Sequence, residues 1–418
     1  MISSKLQMLI HITLISSSTT ENCQRIMLAT NSAHRGTISA KFPFYDDEAA
    51  DLLAKLLTSK TDASKTQIFH ILTQINNTQR QMIKTPYKIK YKKDLMIDLM
   101  NGLSDDYRDI ILALMETPTK YDTLQLVKAI NGTSISESVL IEILCLRTSM
   151  ELSAIKNEYQ IILGNKLEND IATRVSGDLK DILLIVIQKP IIATNDNSSS
   201  STDMEKIKQE VKKILGEKKK IDKTAMKIIV GSLPTYQLNT LTVEYATIAG
   251  RQIEQDIEKY FNGPAKKALL ALIQYARNSN SYFADLLNSS LKNPSETRDG
   301  DLIRLIISRS EIDLATISEA YMKSYKKKLI EDINKECNDF HATLWQLTKN
   351  SIQQSSAECL RFLSKPSDWF DENNPQISRK RIVHQIHLAN PSGLAEKHLL
   401  ISLAVNTDKN FGMSRTLD

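Results

Sequence analysis

Apolar residues along most of this chain recur at three- and four-residue steps, the period of a helix with one buried face. The first sustained run begins at Asp46, where DDEAADLLAKLL puts three acidic residues ahead of apolar positions at helical spacing. Acidic side chains favour the positive end of a helix dipole, so the stretch predicts a helix start. Five helical pieces can be read from there to Met115.

The same order of apolar positions then returns. Tyr87, Tyr159, Tyr245 and Tyr321 each stand four residues after an apolar residue: Ile83, Ile155, Leu241 and Ile317. Eight residues after each Tyr comes Leu95, Leu167, Ile253 or Leu329. Three further on comes Asp98, Asp170, Asp256 or Asp332, followed by Leu99, Ile171, Ile257 or Ile333. Ile68, Leu140, Met226 and Leu302 each open a helix 19 residues before their Tyr. The Tyr-to-Tyr steps are 72, 86 and 76 residues, and the pattern predicts an all-α protein built of four repeats. Residues 120–186 hold the cleanest copy.

The domain boundaries follow from that register. A mostly irregular leader covers 1–45, with Met27 as an alternative start, and repeats occupy 46–118 and 119–190. A polar, low-complexity linker, 191–203 (IIATNDNSSSSTD), precedes repeats at 204–278 and 279–350. A tail, 351–418, matches no repeat.

Composition narrows the classes of function. The chain is 41% hydrophobic and 25% charged with 12 Gly and 10 Pro, as expected of a soluble helical protein. A net charge of +5 permits attraction to acidic surfaces, anionic lipid among them. No basic stripe interleaved with aromatics points to a nucleic acid. Met204–Lys223 carries eight Lys against four acidic residues, either the solvated face of a helix or a contact for lipid or polymer. Four dispersed cysteines fit a reducing compartment, and the apolar run Met8–Ile15 is interrupted by His11 and Thr13, poor material for a secretion signal. No run reaches the ~18 apolar residues that span a bilayer, so membrane contact is expected to be peripheral. His384 and His387 lack the Glu of a zinc-protease helix, and no nucleophile elbow or phosphate loop is present. No enzyme is expected.

Several strings carry a resemblance to a known family. They are TQRQ at Thr78–Gln81, Tyr87–Lys88, KDL at Lys93–Leu95, LRT at Leu146–Thr148, AIKNEY at Ala154–Tyr159 and LIRLIISRSEIDL at Leu302–Leu314. In register with the four repeats, they make the chain resemble an annexin over about 46–350. Its divergent loops and extended ends also resemble the alpha-giardin branch, which is associated with cytoskeleton and plasma membrane. The resemblance implies four five-helix repeats in a slightly curved disc. It also implies calcium-dependent binding to acidic phospholipid, in the cytoplasm at the plasma membrane or cytoskeleton. The alternative partner is a microtubule or other cytoskeletal filament.

The family's calcium site needs a K-G-x-G-T-like loop and, about 40 residues later, a bidentate acid. Calcium takes six to eight hard oxygens, and glycine's access to positive φ lets carbonyls converge. In the first repeat the loop reads Thr58–Asp62 and the acidic position is Gly102. In the second it reads Asn131–Ile135, keeping Gly132, and the acidic position is Arg174. The third reads Lys218–Asp222 with Tyr260, and the fourth Lys292–Thr297 with Lys335 beside Glu336. None retains both halves of the site. Weak calcium sites could still draw on Ile130, Gly132 and Ser134, or on Asp105 and Asp106, although the last two read more simply as helix-start residues.

The family's central polar core is better preserved. By motif match it takes in Asp122, Glu142, Arg147 and Arg309, two carboxylates and two guanidiniums able to satisfy one another. Such a core could serve as an ion path or as a structural latch between the halves of the chain.

Overall fold

The computed structural model describes residues 35–41, 43–59, 61–103, 105–190, 201–216, 220–292 and 296–336. The first 34 residues, most of the polar linker and the whole tail, including His384 and His387, lie outside them. The described residues form helices joined by short connections, with no strand among them.

The first repeat contributes α1 (Asp46–Ser59), α2 (Asp62–Thr73), α3 (Asn77–Tyr91), α4 (Leu95–Gly102) and α5 (Asp105–Met115). The second contributes α6 (Pro118–Asn131), α7 (Glu137–Leu146), α8 (Ser149–Leu163), α9 (Leu167–Arg174) and α10 (Gly177–Ile187). In the third are α11 (Ser201–Leu215), α12 (Lys223–Ser232), α13 (Thr235–Ala249), α14 (Ile253–Tyr260) and α15 (Gly263–Arg277). The fourth supplies α16 (Ser279–Lys292), α17 (Glu296–Ser310), α18 (Leu314–Tyr325) and α19 (Leu329–Glu336).

Local chemistry sets the helix ends. The Asn76 side chain accepts from Gln79 N–H while the Gln79 side chain reciprocates, and Thr148 with Glu151 repeats the device at α8. Thr61, Thr117 and Asp222 cap α2, α6 and α12 through single bonds. The third helix of every repeat ends in a left-handed residue five positions after its tyrosine: Lys92 (φ 55°), Gly164 (68°), Gly250 (70°) and Lys326 (59°). Glycine adopts that conformation without strain, whereas a Cβ penalises it. Lys92→Gly is therefore expected to stabilise the protein by ~1 kcal/mol, read as a shift of the urea midpoint to higher denaturant.

Of the described residues, those up to Met115 together with Ile303–Glu319 and those from Lys327 onward form one compact unit. Glu116–Leu302 and Ala320–Lys326 form another. In the first unit α1 packs on α3 and α2 on α5. In the second, α6 packs on α8 and α11 on α13 in the same manner. There the second and third repeats also exchange helices, α7 against α15 and α10 against α12. Lys227 of α12 crosses that seam, its Nζ 2.8 Å from Asp178 and 2.6 Å from Asp181 of α10.

The recurring sequence positions are the core. The four tyrosines and the apolar residues 4 and 19 positions before them, and 8 and 12 after them, are all buried. A buried phenol needs a partner, and the recurring aspartate supplies it. Tyr87 Oη donates to Asp98 at 2.7 Å, Tyr159 to Asp170 at 2.8 Å and Tyr245 to Asp256 at 2.5 Å. Burial, followed by the aspartate bond, pushes all three phenols well above their ordinary value. Each aspartate stands in the first turn of the fourth helix, where the helix dipole favours its charge.

Candidate functional site

Helix α6 ends at Asn131, and the last carbonyls of a helix need partners from outside it. Three are taken within the repeat. Lys128 O accepts from Gly132 N–H at 3.1 Å, Ala129 O accepts from Ser136 N–H at 3.1 Å, and Ile130 O accepts from Arg174 Nη1 at 3.2 Å. Arg174 is the last residue of α9, a position where a cation also complements the dipole. Its side chain stays solvent-exposed beside Asn131, Gly132, Thr133 and Ser134, which are exposed too.

Gly132 is favoured here by close packing rather than by an unusual φ. Its φ is −64°, within the range open to any residue. A Cβ at this point would lie 3.1 Å from Lys128 O and 3.2 Å from Ser134 O, so glycine serves a close approach of two carbonyls.

This donor set does not fit calcium. The oxygens on offer are carbonyls and hydroxyls, the carboxylate that calcium needs is replaced by Arg174, and the guanidinium already holds Ile130 O. A divalent cation placed there would meet a like charge at close range. In the first repeat Gly102 offers no ligand, and a Cβ there would come within 2.8 Å of Leu57 Cδ2. Tyr260, in the third repeat, lies under the Lys259 ammonium, 5.3 Å from the ring centre. Lys335, in the fourth, is exposed. Lys218 and Lys219 and the 293–295 part of the fourth loop lie outside the described residues. Asp105 and Asp106 open α5, and their side chains also lie outside that description.

Two of the polar-core residues, Arg147 and Arg309, each form a bidentate pair with a carboxylate of their own repeat. Arg147, the residue after α7, donates through Nε and Nη2 to both oxygens of Asp122 on α6, at 2.7 and 3.0 Å. Both side chains are over nine-tenths buried, and Glu142 is buried on α7. Burial is the largest influence on Arg147 and lowers it, but Asp122, with Glu142 and Glu151, outweighs burial and raises it overall. Arg309 at the end of α17 instead grips Asp313, Nε at 2.7 Å and Nη2 at 2.5 Å. Asp313 was missed by the motif match, although it stands one helical turn from Arg309 and was there to be found.

A second ion pair joins Arg80 of the first repeat to Glu311 of the fourth. Arg80 is 1% exposed; its Nε donates to Leu72 O at 2.7 Å, and its Nη1 donates to Leu114 O at 3.1 Å and to Glu311 at 2.9 Å. Glu311 also accepts from Asn77 N–H at 2.8 Å, closing the start of α3. Burial outweighs the attraction of Glu311 and lowers the Arg80 pKa. Arg80 shares a helical face with Ile83 and Tyr87, the signal that it points inward.

Comparison with known proteins agrees with this architecture. The annexin family model matches residues 48–114, 121–186 and 282–346. Annexin A13 of Mus musculus is 34% identical over 281 residues, 66% of this chain and 87% of the relative. The solved structure of annexin III superposes with a TM-score of 0.70 at 29% identity, covering 76% of this chain and 98% of that one. A calcium-bound alpha-14 giardin structure shares the fold, with a TM-score of 0.60 at 15% identity over 72% of this chain and 99% of that one. Four repeats with one helix order, three of them carrying the same Tyr–Asp bond, and a relative at this identity over most of its length show that the chain belongs to the annexin family.

Proposed function

We propose that this protein binds acidic phospholipid surfaces peripherally, and that fixed cations rather than tightly bound calcium supply most of the attraction. The observation that carries this reading is Arg174 on the Ile130 carbonyl, where a calcium-binding loop would need a free oxygen and a carboxylate. The family supports the phospholipid partner, and the net charge of +5 supports an anionic one. No helix among the described residues is long and apolar enough to cross a membrane, which fits attachment from the side. Calcium acts weakly at most, through carbonyls such as those of Ile130 and Ser134 if Arg174 swings away. The Asp122–Arg147 and Arg309–Asp313 pairs serve as structural latches, since bidentate pairing of opposite charges leaves little net charge to move an ion.

The role is binding, without catalysis. The buried Cys145 thiol is pushed up to about 12 by desolvation, far from a reactive thiolate.

Sedimentation with vesicles tests the reading. The protein is expected to pellet with phosphatidylserine vesicles in calcium and in chelator alike, and to stay in solution with phosphatidylcholine. A parallel assay with microtubules addresses the cytoskeletal alternative. Pelleting with microtubules and with neither vesicle preparation overturns the phospholipid assignment.

A further inference from the structure

In repeat two the carbonyls of Lys128 and Ser134 both approach Gly132, and Arg174 stands where the family resemblance places an acid. Arg174 Nη1 holds Ile130 O at 3.2 Å, fixing the guanidinium at the mouth of the loop. A guanidinium has five N–H donors, and this side chain remains exposed. The hydroxyls of Thr133 and Ser134 stand exposed on the same loop. A planar fork with free donors suits a phosphate oxygen pair, and arginine gives up its hydration more readily than lysine.

From this geometry we infer that Arg174 is a built-in replacement for the metal, bridging the Ile130 carbonyl on one side and the phosphodiester of an anionic lipid headgroup on the other. The inference rests on the phospholipid reading above and deepens it by naming the contact. The positive charge that a divalent ion would bring on demand is here covalently present, so engagement of this loop needs no calcium. Lys335 occupies the equivalent position in the fourth repeat and is exposed.

Three variants and the wild type, sedimented with phosphatidylserine vesicles in chelator, test the assignment. Arg174→Ala is expected to weaken binding about fivefold, the effect of one cation near an anionic surface. Lys88→Ala removes an equal charge from the exposed face of α3 and is expected to leave binding unchanged. Arg174→Glu is expected to weaken chelator binding further, and to make binding rise on adding calcium, because it restores a carboxylate beside Ile130 O. Inorganic phosphate at matched ionic strength is expected to displace nothing; displacement by it overturns the headgroup assignment in favour of a free-phosphate site. Wild type that pellets in chelator while Arg174→Ala pellets equally well overturns this inference and leaves the phospholipid reading standing. Wild type that pellets only with calcium overturns this inference and the fixed-charge part of the reading above, leaving only the phospholipid partner standing. Wild type that pellets in neither buffer overturns both.

Discussion

Arg80→Met is expected to lower the stability of the protein by about 3 kcal/mol, the low end of the cost of removing one partner from a buried ion pair, since Glu311 is 28% exposed. The side chain it removes is 1% exposed and makes three bonds that nothing nearby can replace. Leu72 O and Leu114 O lose a charged donor, and Glu311 keeps its charge without its guanidinium. The damage spreads because Glu311 also closes the amino end of α3 through Asn77 N–H. Arg80→Lys rescues little, since an ammonium cannot reach a carboxylate and two carbonyls in a fixed fork. Urea unfolding followed by helical ellipticity reads the effect; a midpoint within error of wild type would contradict the role given to Arg80.

The second large effect is expected at Arg147. Its pair with Asp122 ties α6 to the residue that ends α7, with side-chain exposures of only 7% and 8%. Arg147→Met leaves Asp122 buried and charged without a partner, a loss of about 3–5 kcal/mol. The double variant Arg147→Met with Asp122→Leu is expected to recover much of that loss, because replacing both members by apolar groups removes the orphaned charge. Recovery separates a pair that fixes geometry from one whose charges are needed elsewhere. If the single variant melts like wild type, Arg147 does not act as a latch. Both Arg147→Met and Arg309→Met are expected to leave vesicle binding unchanged once the protein is folded.

What could be read from the sequence divides along a physical line. The tyrosines, their apolar partners and the aspartates 11 residues later recur because each repeat must bury the same face and satisfy the same phenol, so periodicity alone exposes them. Lys92 and Lys326 hide their left-handed conformation, since lysine carries no signal for it; only their register with Gly164 and Gly250 reveals it. The Arg80–Glu311 pair spans 231 residues, a separation at which no local spacing rule operates. At the loops, the register of the repeats places Arg174 where the family resemblance implies an acid. That the guanidinium also claims the Ile130 carbonyl depends on how α9 ends beside α6, which lies beyond any pattern of residues. Gly132 was expected for its freedom of φ and is present for want of a Cβ.

The fixed charge of Arg174 is proposed to do the work of calcium at the loop of the second repeat. The most direct test is the fraction of protein that pellets with phosphatidylserine vesicles as free calcium is raised from chelator to millimolar levels. Substantial binding is expected at the start of that curve, with only a shallow rise along it. No binding in chelator, followed by a steep calcium-dependent rise to saturation, would contradict it.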